Sequence, residues 1–211
     1  MKLTKLEHAC IELNEGASRL IIDPGIFAIS LTNLSGITAV VITHLHPDHF
    51  DETKVGQILE QNPGVPIFTT QQLAERLPAG AATVPTLGQT YQAGDFTLQF
   101  YGTMHAIIMD NMPQDQNVGV RVNNALYYPG DSFTPCPDAH SVTAVPSNAP
   151  WMKLAEAVDF LRSDQATQHF PTHYGFMNEA GFDLANRLLG GASEQANKTY
   201  HPLKPGDTLE L

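Results

Sequence analysis

The chain has 211 residues, 42% of them hydrophobic and 16% charged, which is enough apolar content for a useful core in a single domain over residues 1–211. Eleven basic residues stand against 22 acidic ones for a net charge of −11, and the basic ones are scattered. A surface of that sign repels phosphate backbones and anionic headgroups, which argues against nucleic acid and membrane partners and for a small-molecule substrate. Cys10 and Cys136 are too few for a disulfide framework and read as reduced thiols. No run reaches the ~20 apolar residues of a bilayer span, and the N-terminal segment alternates like a strand rather than a signal peptide. The expectation is a soluble cytoplasmic protein, with a homo-oligomer left open.

In chain order, "KLTKL" and "ACIEL" alternate in period two, and "RLIID" is a buried-type strand stopped by "PG". "ITAVVIT" is a continuous apolar run. "DETKVGQILEQNP" predicts a helix capped by Asp51, with Val55, Ile58 and Leu59 on its apolar face. "VPIFT" predicts a strand and "TQQLAERLP" a short helix. The β-rich pieces "QTYQ", "DFTLQFYGTM", "VGVRV" and "ALYYP" follow, then the strand "VTAV". Residues 151–162 predict a helix and "ATQHF" a strand. Residues 179–189 predict a helix with Phe182, Ala185, Leu188 and Leu189 inward, stopped by Gly190-Gly191. "GDTLEL" closes as a strand. This order suggests two sheets face to face with helices outside.

The apolar run ending at Thr43 delivers "THLHPDHFD", where three of the nine histidines, His44, His46 and His49, crowd with Asp48 onto one loop. Two imidazoles at i and i+2 can reach one ion, and the Asp-His pair can turn toward a second. Imidazole and carboxylate donors suit zinc first, with manganese and iron also able to fit. Three later strand ends each deliver one metal-capable side chain: His105 in "GTMH", Asp131 in "PGDS" and His173 in "PTHYG". Singly these are turn residues; their weight lies in their joint order.

The series "THLHPDH", "GTMH", "PGDS", "PTHYG" resembles the metallo-β-lactamase-fold hydrolases, and within them the ascorbate-6-phosphate lactonase-like group. The resemblance implies an α/β (α+β) fold, the four-layer αβ/βα sandwich of metallo-β-lactamase-like proteins, with a binuclear metal site at one edge. Carried over, His44, His46 and His105 would hold the first metal, Asp48, His49 and His173 the second, and Asp131 would bridge them. Asp23 resembles the buried aspartate that supports the ligand loop. His8 is placed between a pocket residue and a strand-turn histidine, and Trp151 between a pocket wall and, favoured, a core residue at a helix start.

Two divalent ions sharing a water would make a hydroxide nucleophile near neutral pH, so the expected reaction is hydrolysis of an ester-like bond: lactone, carboxylic ester or amide, or phosphodiester. The rival readings are iron-dependent persulfide or oxygen chemistry, RNA processing, and a metal-binding protein without turnover. The segment 106–117 after His105 is long for a hairpin and is expected to wall the pocket. No Arg or Lys cluster offers itself to a phosphate.

Overall fold

The computed structural model describes all 211 residues. One seven-stranded sheet contains β1 (Lys2–Lys5), β2 (Ile11–Glu15), β3 (Ser18–Ile22), β4 (Ala39–Ile42), β5 (Ile67–Thr69), β6 (Ala82–Thr83) and β14 (Thr208–Glu210), in the order β14-β1-β2-β3-β4-β5-β6. The second contains β7 (Thr90–Ala93), β8 (Phe96–Tyr101), β9 (Gly119–Val122), β10 (Leu126–Tyr128), β11 (Val142–Pro146), β12 (Gln168–Thr172) and β13 (Thr199–Tyr200), in the order β13-β12-β11-β10-β9-β8-β7. Each sheet has an antiparallel half joined by turns and a parallel half. Parallel pairs need crossovers, and helices supply most of them: α1 (Glu52–Gln61) and α2 (Gln71–Ala74) in the first sheet, α3 (Leu154–Ser163) and α4 (Glu179–Gln195) in the second.

β4 shows why the sandwich has this layering. All four of its residues are buried, and they alternate. Ala39 and Val41 enter the core between the sheets with Leu13, Phe96, Phe100 and Phe170, while Val40 and Ile42 pack under α1 with Val55 and Ile58. A third apolar cluster, including Tyr127, Phe160, Leu161 and Leu189, seats α3 and α4 on the other sheet. The result is the αβ/βα sandwich of the metallo-β-lactamase fold. Cys10 and Cys136 are buried and free, and no helix is long and apolar enough to cross a membrane.

Three expectations are corrected. The last helix does not stop at Gly190-Gly191 but runs to Gln195, with neither glycine at positive φ. Its buried face is Ala185, Leu189, Ala192 and Ser193, so Leu188 turns outward, 47% exposed. That packing outweighs the roughly 1 kcal/mol that glycine costs in a helix. The helix expected from Trp151 begins at Leu154 instead, where Glu156 accepts a hydrogen bond from Lys153 N at 2.6 Å, and Trp151 is left in the preceding turn. The two-residue strands β6 and β13 carry too little pattern to read from sequence.

All the metal-capable positions fall on one rim. The 43–49 loop follows β4, His105 follows β8, Asp131 follows β10 and His173 follows β12. The turn carrying His8 joins β1 to β2 at the same rim.

Candidate metal centre

The ligand loop is fixed from below. Asp23 accepts hydrogen bonds from Thr43 N at 2.7 Å and Thr43 Oγ1 at 2.8 Å, and from His49 Nδ1 at 2.6 Å. It does so from a left-handed backbone, φ +50°, a conformation shared by His8 and His173, and three such non-glycine residues mark a rim held in place by its surroundings. Gly25 has no alternative residue: a Cβ there would lie 1.9 Å from the carbonyl oxygen of Asp48.

Each imidazole is anchored through one nitrogen, which decides what the other can do. The Thr43 hydroxyl, already donating to Asp23, accepts from His44 Nδ1 at 3.0 Å. His49 Nδ1 is held by Asp23, His105 Nδ1 by the Ala106 carbonyl at 2.6 Å, and His173 Nδ1 by the Asn148 carbonyl at 2.6 Å. His46 is held the other way round, its Nε2 donating to Asp115 Oδ2 at 3.0 Å. With a cation bound, the anchored nitrogen of each ring would keep its proton and the other would offer its lone pair; His44 Nε2 and His46 Nδ1, 3.1 Å apart, would face the same ion.

Metal-capable atoms converge as two groups, each within 4.8 Å of one another: His44, His46, His105 and Asp131, and His8, Asp48, His49 and His173. Asp131 lies between them, its oxygens 3.1 Å from His49 Nε2, 3.3 Å from His105 Nε2 and 2.9 Å from His173 Nε2. These approaches are close but misaligned: His49 Nε2, His105 Nε2, His173 Nε2 and Asp131 Oδ1 are buried with no hydrogen-bond partner. Four convergent orphan atoms of this chemistry fit a divalent cation pair, since buried polar groups are otherwise almost always satisfied.

The charges cut across the two groups, since burial also lowers His8, to about 4. Burial and the neighbouring imidazole of His49 hold His44 well below the usual histidine range, and burial with His105 lowers His46. Burial opposes charge on His49 and His173 too, but Asp131 raises both, His173 to about 9. Asp131 and Asp48 pay for their burial through the imidazoles around them and stay well below the carboxylate range.

Residues 2–173 match the family described as Beta-lactamase superfamily domain. The chain belongs to this superfamily. A relative, Protein Rv0786c of Mycobacterium tuberculosis, is 34% identical over 178 residues, covering 82% of this chain and 84% of that one. A UPF0173 metal-dependent hydrolase of Aeropyrum pernix is 31% identical over 78 residues, 35% of this chain and 31% of its own. In fold, the metallo-β-lactamase fold protein YhfI of Bacillus subtilis superposes with a TM-score of 0.73 over 99% of this chain and 98% of that one, at 17% identity. Fold and donor set are those of a metal-dependent hydrolase of the metallo-β-lactamase fold.

Three residues of this superfamily member gain positions that sequence alone left open or missed. His8 Nε2 lies 3.1 Å from Asp48 Oδ2, and its Nδ1 accepts from Gly175 N at 2.8 Å. The Gly175 amide thereby puts the proton on Nε2, so His8 donates to Asp48 rather than offering a lone pair to an ion. A Cβ on Gly175 would lie 2.8 Å from that Nδ1. The His8 turn is itself held by the buried Lys5 ammonium, which donates to the Leu6 carbonyl at 2.6 Å and the His8 carbonyl at 2.7 Å. Trp151, read as core, instead walls the site: its Nε1 donates to Asp131 Oδ2 at 3.0 Å, and its ring lies 5.8 Å from that of His105. Asp115 was not singled out by sequence, because an aspartate in a polar loop carries no signal until the fold brings it to His46.

Proposed function

We propose that the chain hydrolyses an ester-like bond of a small molecule, a lactone or other carboxylic ester, amide or phosphodiester, with two divalent cations as cofactors. His44, His46 and His105 would hold the first, Asp48, His49 and His173 the second, with Asp131 shared. Zinc suits this donor set first, and manganese or iron(II) also fit it. The observation that carries the reading is the set of buried, unpartnered His49 Nε2, His105 Nε2, His173 Nε2 and Asp131 Oδ1 facing one another across the rim.

Bound cations of this kind supply Lewis acidity, which acidifies water and stabilises the oxyanion that develops at the attacked carbon or phosphorus. The chain's own residues prepare for that. Thr43, Asp23, Asp115 and two backbone carbonyls fix ring orientation and tautomer, so no reorganisation is needed when charge develops. Trp151 fixes the shared carboxylate by donating to Asp131 Oδ2. Asp48 has a side chain 15% exposed where Asp131 shows 3%, so Asp48 is the carboxylate nearer solvent and able to orient the reacting water. Water adds across the bond: its oxygen goes to the acyl or phosphoryl group, and its proton leaves with the alcohol or amine.

Among the three bond types, no lysine or arginine makes an ion pair with any of the seven side chains. That favours a lactone or carboxylic ester without a phosphate, and it leaves the lactonase-like chemistry without its phosphorylated form. The net charge of −11 weighs against an RNA substrate. The test is a panel of generic lactones, esters and bis-(p-nitrophenyl) phosphate with the metal-loaded protein. Metal-dependent turnover of at least one, lost in His46→Ala, is expected; a fully loaded protein inert on all three classes would overturn the reading.

A further inference from the structure

We infer that the loop 106–117 forms a binding pocket for the uncharged, hydrocarbon part of the substrate, so that the enzyme prefers neutral apolar acyl or alkyl substituents and rejects anionic ones. The inference rests on the hydrolytic reading above, whose substrate class it names.

The loop has a pinned neck. His105 N donates to the Asp115 carbonyl at 2.9 Å, Asn117 N to the Thr103 carbonyl at 3.1 Å, and Met104 pairs with Gln116 in an isolated bridge. The tip is turned by Met112 N donating to the Met109 carbonyl at 3.1 Å. Between neck and tip lies a cavity of about 260 Å³. His105, Ile107, Ile108, Met109 and Met112 are among the residues that line it. His105 lines the cavity and its Nε2 lies 3.3 Å from Asp131 Oδ2, so the cavity borders the candidate metal centre.

Exposure makes a ligand the economical explanation. Ile107 is 63% exposed, Met109 56% and Met112 43%, and with the half-buried Ile108 they put four large apolar side chains on six consecutive residues. Apolar area held open to water beside a reaction centre gains its free energy when a ligand covers it. Methionine suits such a wall because its flexible thioether adapts to different chains. The charged groups in the lining are Asp110 and Asp115, with no lysine or arginine. An anion entering there would lose hydration and meet like charge.

The loop is also tied to the metal ligands. Asp115 Oδ2 accepts from His46 Nε2, and its Oδ1 accepts from Gln72 Nε2 at 2.6 Å. Gln72 and Gln116 clasp each other reciprocally, the Gln72 amide N–H reaching Gln116 Oε1 at 2.9 Å and the Gln116 amide N–H reaching Gln72 Oε1 at 3.0 Å. The pocket wall and the orientation of His46 are therefore one construction, anchored on α2.

Two series test this. The first is kcat/KM for neutral esters of lengthening acyl chain, from acetyl to octanoyl, against the same esters ending in a carboxylate. The second is affinity for matching alkyl ketones, which are not hydrolysed, read from the emission of Trp151, the chain's single tryptophan. Both should rise about threefold to fourfold per methylene until the cavity fills, fall with a terminal carboxylate, and flatten in Met109→Asp and Ile107→Asp. A flat dependence on chain length, or preference for the carboxylate, would overturn the pocket assignment even if hydrolysis is found. A ketone series that climbs while no ester turns over would sink the hydrolytic reading and leave the pocket standing.

Discussion

β12 has a buried histidine near each end, and the two sit in different chemistry. His169, near the start, lies with its Nε2 3.1 Å from Asp164 Oδ2. Beside it, His140 is bonded at both ring nitrogens, to the Asp138 carbonyl at 2.8 Å and to Thr143 Oγ1 at 2.7 Å, with Asp164 Oδ1 at 3.4 Å. His173, just past the other end, is anchored at Nδ1 and leaves Nε2 facing Asp131 with no hydrogen bond. Burial and residue type match, so neither identifies a metal site. What separates the clusters is whether the polar atoms are consumed within the protein. One unpaired nitrogen remains in the first, His169 Nδ1, but it belongs to no group of donors within reach of one ion. In the second, the unpaired atoms converge. The first cluster holds the fold together; the second is complete only with a ligand.

The comparison breaks most sharply under substitution. His46→Ala removes a side chain that is 22% exposed, so it opens no internal cavity. Turnover should drop on the order of 10³-fold or more, metal content should fall, and the unfolding midpoint of the chelated protein should stay close to wild type. Asp164→Ala should do the reverse. It leaves His140 and His169 buried without their carboxylate, and urea unfolding should record a loss of about 3 kcal/mol with metal content unchanged. If Asp164→Ala emptied the metal site, the division between the two clusters would be wrong.

A finer cut separates ligands from the groups that orient them. His8→Gln keeps a side-chain N–H donor but removes the ring set by Gly175. It should weaken binding of the second ion about 10-fold to 100-fold, by calorimetric titration, without abolishing it. Complete loss of that ion would make His8 a ligand instead.

The smallest effect is a pH slope. Burial works against charge on His140, but Asp164 raises its pKa from 6.5 to about 10. A raised folded-state pKa stabilises fully below about 6.5, and the stabilisation is lost as pH climbs toward 10. Lys5, pushed down by burial to about 7, gives the opposite slope over part of that window. The useful quantity is thus the difference between wild type and His140→Gln, both metal-loaded. It should shrink by about 2 kcal/mol between neutral and strongly alkaline pH; a difference that grew would contradict the His140–Asp164 pairing.

Much of this was legible in the sequence, for reasons that differ by residue. The 44–49 cluster is visible because its spacing is dense, and His105, Asp131 and His173 because each ends an apolar strand. The sheets follow from period two, and β4 from its uninterrupted burial. For Trp151 the core reading outweighed the pocket wall because its helix begins three residues later, a boundary set by the Lys153–Glu156 capping contact rather than by periodicity. Asp115, and the partner of His8, whose pocket role stayed an open alternative, were out of reach for another reason. Their roles come from contacts with His46 and Asp48 across 69 and 40 residues of chain, and no local pattern encodes those. The extension of α4 through two glycines is likewise a tertiary effect, marked by the burial of Ala192 and Ser193 beyond them.

The central claim is that unpaired nitrogens on separate strand ends await cations, and counting metal tests it most directly. Elemental analysis of protein purified without added metal, then of chelated protein titrated back with zinc, manganese or iron(II), should give two divalent ions per chain at saturation. His46→Ala should reduce that number while Asp164→Ala leaves it intact. A wild-type chain that takes up no ion from any of the three would contradict the account.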